Sequence, residues 1–248
     1  MKISVCIPMY NEGRIIADTA RTLTEALDRD FGEDYELLFS DDGSTDGSGD
    51  TVRSLALPRV RVVGYETNRG KGCAVRTAML EAAGDYVLFT DADLAYGTDV
   101  VKRAVDAFAQ HPESDLVIGS RNLDRDGYEG YTFLRKLASK TYIRVLCLIG
   151  GFRLSDSQCG CKAFTGRAAR EIFRRCETDG FAFDFEALMW ADRLGYRITE
   201  MPVKVINHRE SKIRLLRDTV RMLTDLSRIK RRVRKRAKEE KKKNIRKG

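Results

Sequence analysis

The sequence predicts an α/β domain built on a doubly wound, mostly parallel sheet. Three observations carry this expectation. Short apolar runs of strand length alternate with segments of helical period, and each run stops at acids, glycines or an arginine. The 248 residues, 42% hydrophobic and 33% charged, suit one sizeable globular domain with a short appendage. That composition excludes a disordered, collagen-like or disulfide-stapled chain.

Residues 3–7 form a continuous apolar run stopped by Pro8, the pattern of a buried strand entering a loop. Residues 14–27 then place Ile15, Ile16, Ala20, Leu23 and Leu27 at helical spacing. A second run, 36–40, breaks at Asp41, Asp42, Gly43 and Ser44. A third, 60–64, precedes Asn68, Arg69, Gly70, Lys71 and Gly72, which open an Ala-rich helix reaching Ala83. A fourth, 86–90, ends at Asp91-Ala92-Asp93, and a fifth, 116–119, ends at Ser120 and Arg121. Strands joined through helices pair in parallel by right-handed crossovers. Ligands of such sheets bind in the crevice beyond the carboxyl ends of the strands, so the five polar clusters converge on one site.

The formal net charge of +8 is unevenly spread: residues 228–248 hold 13 Lys or Arg against two acids, which leaves the rest of the chain at −3. Ile213, Leu216, Val220, Leu223, Leu226, Ile229 and Val233 recur every three or four residues among basic ones, and residues 133–149 mix apolar groups with Arg135, Lys136, Lys140 and Arg144. A core-packing helix gives the same stripe, but beside a polybasic end it reads as an amphipathic helix on an anionic membrane. The expected organisation is a domain over 1–212, a membrane-associating helix over 213–233 and a basic, disordered tail over 234–248. A slightly acidic body without a basic, aromatic stacking surface argues against a nucleic-acid partner.

No segment approaches the roughly 20 apolar residues of a membrane span, and the N-terminal apolar stretch is too short for a signal peptide. The six cysteines form no CxxC pair and only two histidines accompany them, which predicts buried reduced thiols and no zinc site. A cytoplasmic protein bound peripherally to the membrane's cytoplasmic face is expected.

Asp91 and Asp93 set two carboxylates two residues apart at a strand end. Such hard oxygen ligands suit Mg²⁺ or Mn²⁺ whose shell is completed by a diphosphate and water. Asp41 can accept a hydrogen bond from a base NH, although residues 41–46 would also serve as a turn and helix cap. The loop at 68–72 offers backbone NH groups and the Lys71 ammonium to a phosphate at a helix start, without the spacing of a P-loop.

Residues 4–12, 41–46, 68–72 and 91–93 together resemble the family 2 glycosyltransferases of the Rossmann-like GT-A fold. The nearest likeness is to the branches that load sugars onto dolichyl or polyprenyl phosphate, glucosyl and mannosyl. The resemblance implies that Pro8, Tyr10, Glu12, Asp41, Lys71 and Asp91 bind a nucleotide sugar and that Asp91 and Asp93 hold the metal. It implies catalytic roles for Asp184, Asp93 and Arg121. It places Arg121, Arg135, Ser139, Arg209 and Lys212 against an acceptor phosphate. The mannosyl branch carries Gln or His where Ala95 stands here. That difference, with residues 158–164 and 183–186, favours UDP-glucose over GDP-mannose, the alternative donor. Single-displacement transfer with inversion is implied, with Asp184 as base for a hydroxyl acceptor. A lipid phosphate, with a second pKa near about 6, is already largely ionised, so that Asp184 would orient it instead.

Overall fold

The computed structural model describes residues 1–206 and 215–245, except for the side chains at 134, 135, 138, 215–224, 241 and 243–245. Its seven strands are β1 (Ile3–Met9), β2 (Tyr35–Asp42), β3 (Val60–Tyr65), β4 (Tyr86–Phe89), β5 (Leu116–Ser120), β6 (Lys162–Thr165) and β7 (Ile198–Pro202). They form one sheet in the order β3-β2-β1-β4-β6-β5-β7. All neighbouring pairs are parallel except those of β6, which runs antiparallel to both β4 and β5. Two antiparallel pairings in succession restore the direction, so β5 runs with β4. The carboxyl ends of β1 to β5 therefore share one edge, as the sequence predicts. The chain adds β2 and β3 on one side of β1 and β4 on the other, which puts the topological switch point between β1 and β4, at Asn11 and Asp91.

Each of the five predicted runs lies in a strand, with small differences at the ends. Pro8 sits inside β1, aligned with Ser40, and does not terminate it. β6 and β7 have no counterpart among the predicted runs. β6 is four residues long and begins with a lysine, so it lacks the apolar run that marked the others.

Alternation along the strands sends side chains to two faces. Ile3, Val5, Ile7, Leu37 and Phe39 pack against α1 (Ile16–Phe31), through Ile16, Ala20, Leu23 and Leu27, and against α4 (Asp99–Gln110), through Val100, Ala104 and Phe108. The short α2 (Ser48–Ser54) adds Val52 to this face. Cys6, Leu38, Val87 and Phe89 point to the other face. They meet α3 (Lys71–Glu81), the lower end of α5 (Phe133–Gly150), α6 (Gly166–Phe173) and α7 (Phe183–Leu194). Residues 183–191 of α7 are all buried, as in a helix surrounded by protein.

The last helix, α8 (Leu215–Ile245), corrects the expected organisation twice. It continues to Ile245, so residues 234–245 are helical and not a disordered tail. Leu226, Ile229 and Val233 are buried in the same core cluster as Trp190 and Phe173, and so face protein and not lipid. Burying side chains of this size stabilises by about 1.5–3 kcal/mol each, which favours docking over exposure. The side chains of Leu216, Val220 and Leu223, and Ile213 altogether, lie outside the described residues.

α5 behaves in the opposite way. Phe133, Leu137 and Leu148 are 78%, 53% and 83% exposed, and with Thr141 and Arg144 they line one side of the helix. No described helix is long and apolar enough to cross a membrane. All six cysteines are free, and burial pushes the Cys159 thiol up to about 11, which keeps it protonated and inert.

Candidate active site

β1 delivers Pro8 in its last turn of pleat and hands the chain to Tyr10, Asn11 and Glu12. Asn11 takes φ +53°, a conformation Asn tolerates better than most residues. It is held there from both sides: its amide donates to Ser44 Oγ (3.0 Å), and its Oδ1 accepts from the Thr45 amide (2.8 Å). The Glu12 amide donates to Ser48 Oγ at 2.9 Å. The loops after β1 and β2 are thus bonded together, and the register of the two strands sets Met9 beside Asp41.

Asp41 and Asp42 divide their work because successive strand residues face opposite ways. The half-buried Asp41 carboxylate accepts from the Ser44 amide at 2.8 Å. Asp42 is buried and shapes the neighbouring loop: it accepts from Tyr65 Oη (2.7 Å), Asn68 Nδ2 (2.9 Å) and the amides of Arg69 (2.8 Å) and Gly70 (2.9 Å). This folds residues 68–70 into the turn that starts α3 and aims Lys71 across the crevice. The sequence pattern did not single out Asp42. Its signal was strand alternation, by which two adjacent acids at a strand end cannot share one role.

Lys71 Nζ reaches Asp91 Oδ1 at 2.5 Å. Burial opposes the ammonium charge, yet Asp91, with Asp184 and Asp93 behind it, raises the Lys71 pKa overall. Asp91 and Asp93 follow β4 in a turn closed by the Leu94 amide on the Asp91 carbonyl (3.1 Å) and the Ala95 amide on Asp93 Oδ1 (3.1 Å). Leu94 adopts φ +50°, a strained geometry of order 1–3 kcal/mol of the kind that gathers at functional sites. Gly160 leaves the space for the Asp91 carboxylate, since a Cβ there would stand 2.3 Å from Oδ2.

Asp184, in the first turn of α7, completes the group. Its Oδ1 accepts from Lys162 Nζ at 2.8 Å, and the same ammonium donates to the Cys159 carbonyl at 2.6 Å. Lys162 is fully buried, at the start of β6. Burial pushes the Asp184 carboxyl up, while Lys162 and then Lys71 pull it down, and the net direction is upward. Lys162 was not among the expected site residues, because one lysine in a short apolar stretch carries no sequence signal of burial.

The expected acceptor contacts fare differently. Arg121 is buried and bidentate to Asp156, with Nε–Oδ2 2.6 Å and Nη2–Oδ1 3.0 Å, so two of its donors are committed within the protein. Asp156 is in turn fixed by Glu200 of β7, which accepts from the amides of Ser155 (2.9 Å) and Asp156 (3.1 Å). Arg121 therefore has a buried ion-pair role that was not anticipated. It also lies over the Tyr128 ring, 5.4 Å from the centroid, with Lys136 and Lys140 each at 5.6 Å. Ser139 is on the same helix, α5. The helix backbone carries Arg135, whose side chain is outside the described residues, as are Arg209 and Lys212 altogether.

Two carboxylates from one turn, with room kept for one of them by Gly160, make a donor set suited to a divalent cation that shares its shell with phosphate oxygens and water. Among the described residues no cluster of three or more His, Cys, Asp or Glu adds to them.

The glycosyl transferase family 2 profile matches residues 4–173. The chain belongs to glycosyl transferase family 2. This glycosyltransferase is 32% identical over 242 residues to the dolichyl-phosphate β-glucosyltransferase of Dictyostelium discoideum, covering 92% of this chain and 73% of the relative. It is 31% identical to the dolichyl-phosphate β-glucosyltransferase of Saccharomyces cerevisiae, over 90% of this chain and 72% of that one. In structure it resembles glucosyl-3-phosphoglycerate synthase from Mycobacterium tuberculosis, crystallised with Mn²⁺, UDP-glucose and phosphoglyceric acid. The TM-score is 0.68 at 22% identity, over 91% of this chain and 79% of the synthase. The shared architecture is the GT-A fold expected from the motifs.

Proposed function

We propose that the enzyme transfers glucose from UDP-glucose to dolichyl or another polyprenyl phosphate, with inversion at the anomeric carbon. The observation that carries this reading is the charged group Lys71, Asp91, Asp93 and Asp184 at the switch point of the sheet, in a chain whose relatives share that acceptor. Pro8, Tyr10, Glu12 and Asp41 border the nucleoside, and Lys71 faces the diphosphate, while the Gly72 and Cys73 amides are given to the Asp179 carbonyl. Asp91 and Asp93 would hold Mg²⁺ or Mn²⁺, which would supply positive charge against the departing diphosphate.

Lys71 then adds a second cation on the same leaving group, and its raised pKa keeps it charged at neutral pH. The acceptor attacks from the opposite face of the sugar. A lipid phosphate brings its own negative oxygen, so Asp184 orients the acceptor and the ring rather than removing a proton. Lys162 stabilises the ionised carboxylate and restricts its rotamer through the Cys159 carbonyl. Arg135, Ser139, Arg209 and Lys212 would receive the acceptor phosphate, while Arg121 holds the 155–156 loop through Asp156.

The apolar membrane contact moves from the stripe of α8 to α5. The exposed stripe of Phe133, Leu137 and Leu148 would rest in the headgroup region. The outer side of α8 offers Arg228, Arg231, Lys235, Lys238 and Lys242, all exposed and spaced by three or four, to anionic lipid. Free thiols accord with the reducing, cytoplasmic side of that membrane.

The test is a panel of UDP- and GDP-sugars with purified enzyme, Mg²⁺ or Mn²⁺ and dolichyl phosphate, read as nucleoside diphosphate released. UDP-glucose as the preferred donor, with turnover abolished in Asp93→Ala at an unchanged melting temperature, is the expected result. Preference for GDP-mannose, or an active Asp93→Ala enzyme, would overturn the donor or the metal assignment respectively.

A further inference from the structure

The apolar face of α8 explains why that helix docks, but its polar contacts reach further, toward the donor side of the crevice. Arg232 Nη2 donates to Glu186 Oε1 and to Thr178 Oγ1, both at 2.8 Å. Glu186 is fully buried in α7, and its second oxygen accepts from the amides of Glu177 (2.9 Å) and Thr178 (2.7 Å). One guanidinium and one carboxylate thus clamp the segment that precedes α7.

That segment carries the start of α3. The Asp179 carbonyl accepts from the amides of Gly72 (2.8 Å) and Cys73 (3.2 Å), and its carboxylate pairs with Arg76 at 2.6 Å. Contact is close enough that a Cβ on Gly72 would stand 2.5 Å from the Thr178 carbonyl oxygen. Lys71, whose ammonium pairs with Asp91, lies between Gly70 and Gly72 in this turn. A continuous set of hydrogen bonds therefore joins α8 to the loop that faces the diphosphate, about 160 residues earlier in the chain.

We propose that Arg232 is a positioning residue for the nucleotide-sugar site: it holds residues 177–180 against the Gly72 and Cys73 amides and so sets where Lys71 stands. The inference rests on the reading of that loop as the donor diphosphate site. It assigns α8 a part in donor binding beyond its place in the core.

The experiment compares Arg232→Ala, Thr178→Val and Lys71→Ala with Lys230→Ala, which loses only the α8 contact to the Ile149 carbonyl. Thr178→Val removes one hydroxyl and preserves the buried Glu186 pair, so it stands in should Arg232→Ala not fold. Hydrogen–deuterium exchange is read at Gly72 and Cys73 in the ligand-free protein, beside steady-state constants for UDP-glucose and dolichyl phosphate. Thr178→Val and Arg232→Ala should speed exchange at those amides and raise the donor KM about tenfold, leaving the acceptor KM and kcat within about twofold. A purely structural loss would instead lower the active fraction, and hence kcat, at unchanged KM. Unchanged exchange in Thr178→Val, or an equal rise in donor KM with Lys230→Ala, would overturn the proposal. An unchanged donor KM in Lys71→Ala would overturn the donor-loop reading and the inference with it. A raised one beside an unaffected Thr178→Val would overturn the inference alone.

Discussion

Asp184 is held between opposing influences, and this makes its titration a direct probe of its role. Burial raises its pKa from the usual 3.8, against the pull of Lys162 and Lys71. A carboxyl with a raised folded-state pKa binds its proton more tightly folded than unfolded. Its contribution to stability is therefore fully present below pH 3.8 and is lost as pH rises through the folded value. Activity runs the other way, because it needs the ionised form. The acid limb of kcat/KM should lie above the ordinary carboxylate range, and Lys162→Met should move it to higher pH. Removing one partner of such a buried pair should also cost about 3–5 kcal/mol of stability where the remaining charge stays unpaired. An acid limb that Lys162→Met leaves in place would contradict the assignment. Gly160→Ala offers a second check at this scale. Its Cβ would displace the Asp91 carboxylate, so kcat/KM should fall at least about tenfold with the fold retained, as measured by circular dichroism and steady-state kinetics. Full activity would mean that Asp91 need not stand where it does. Asp91 and Asp93 are legible because they close an apolar strand run, whereas Asp184 is reached only through the family resemblance. Lys162, Asp42 and Glu186 stayed hidden because their partners come from distant segments, and a buried charge has no local pattern of its own.

Among the elements, β1 to β5 were readable from sequence because parallel strands covered on both faces show as continuous apolar runs. β6 and β7 were not, since the first opens with Lys162 and the second, from Ile198 to Pro202, is only half buried over most of its length. The sequence shows the stripe of α8 but assigns it to a membrane, because periodicity gives the face of a helix and not what covers it. The structure covers Leu226, Ile229 and Val233 with protein and leaves the basic side outward. Electrostatic attraction of roughly 1 kcal/mol per basic residue at an anionic surface then predicts the consequence of charge reversal. The triple variant Arg231→Glu, Lys235→Glu, Lys238→Glu should sediment with phosphatidylserine vesicles at least about tenfold less than wild type in low salt, with UDP affinity unchanged. Equal sedimentation would remove α8 from the membrane contact and leave α5 as its only described candidate.

For the whole molecule, one antiparallel strand inside a parallel sheet and one C-terminal helix across its lower layer decide how the site is assembled. β6 and the residues leading into it bring Lys162 to Asp184 and Gly160 to the Asp91 carboxylate, and α8 braces the segment that supports α3. The proposed donor side thus draws on residues 8–93 and is supported from residues 160–232. The proposed acceptor side is α5, whose Phe133, Leu137 and Leu148 are exposed. This arrangement suits a soluble, doubly charged donor entering from one side and an amphiphile from the other. The most direct test follows radiolabelled glucose from UDP-glucose with and without dolichyl phosphate in detergent. The label should move to the organic phase only when the lipid is present, in a product that mild acid cleaves as a glycosyl phosphate. Label that transfers without lipid phosphate, or reaches a product stable to mild acid, would contradict the account.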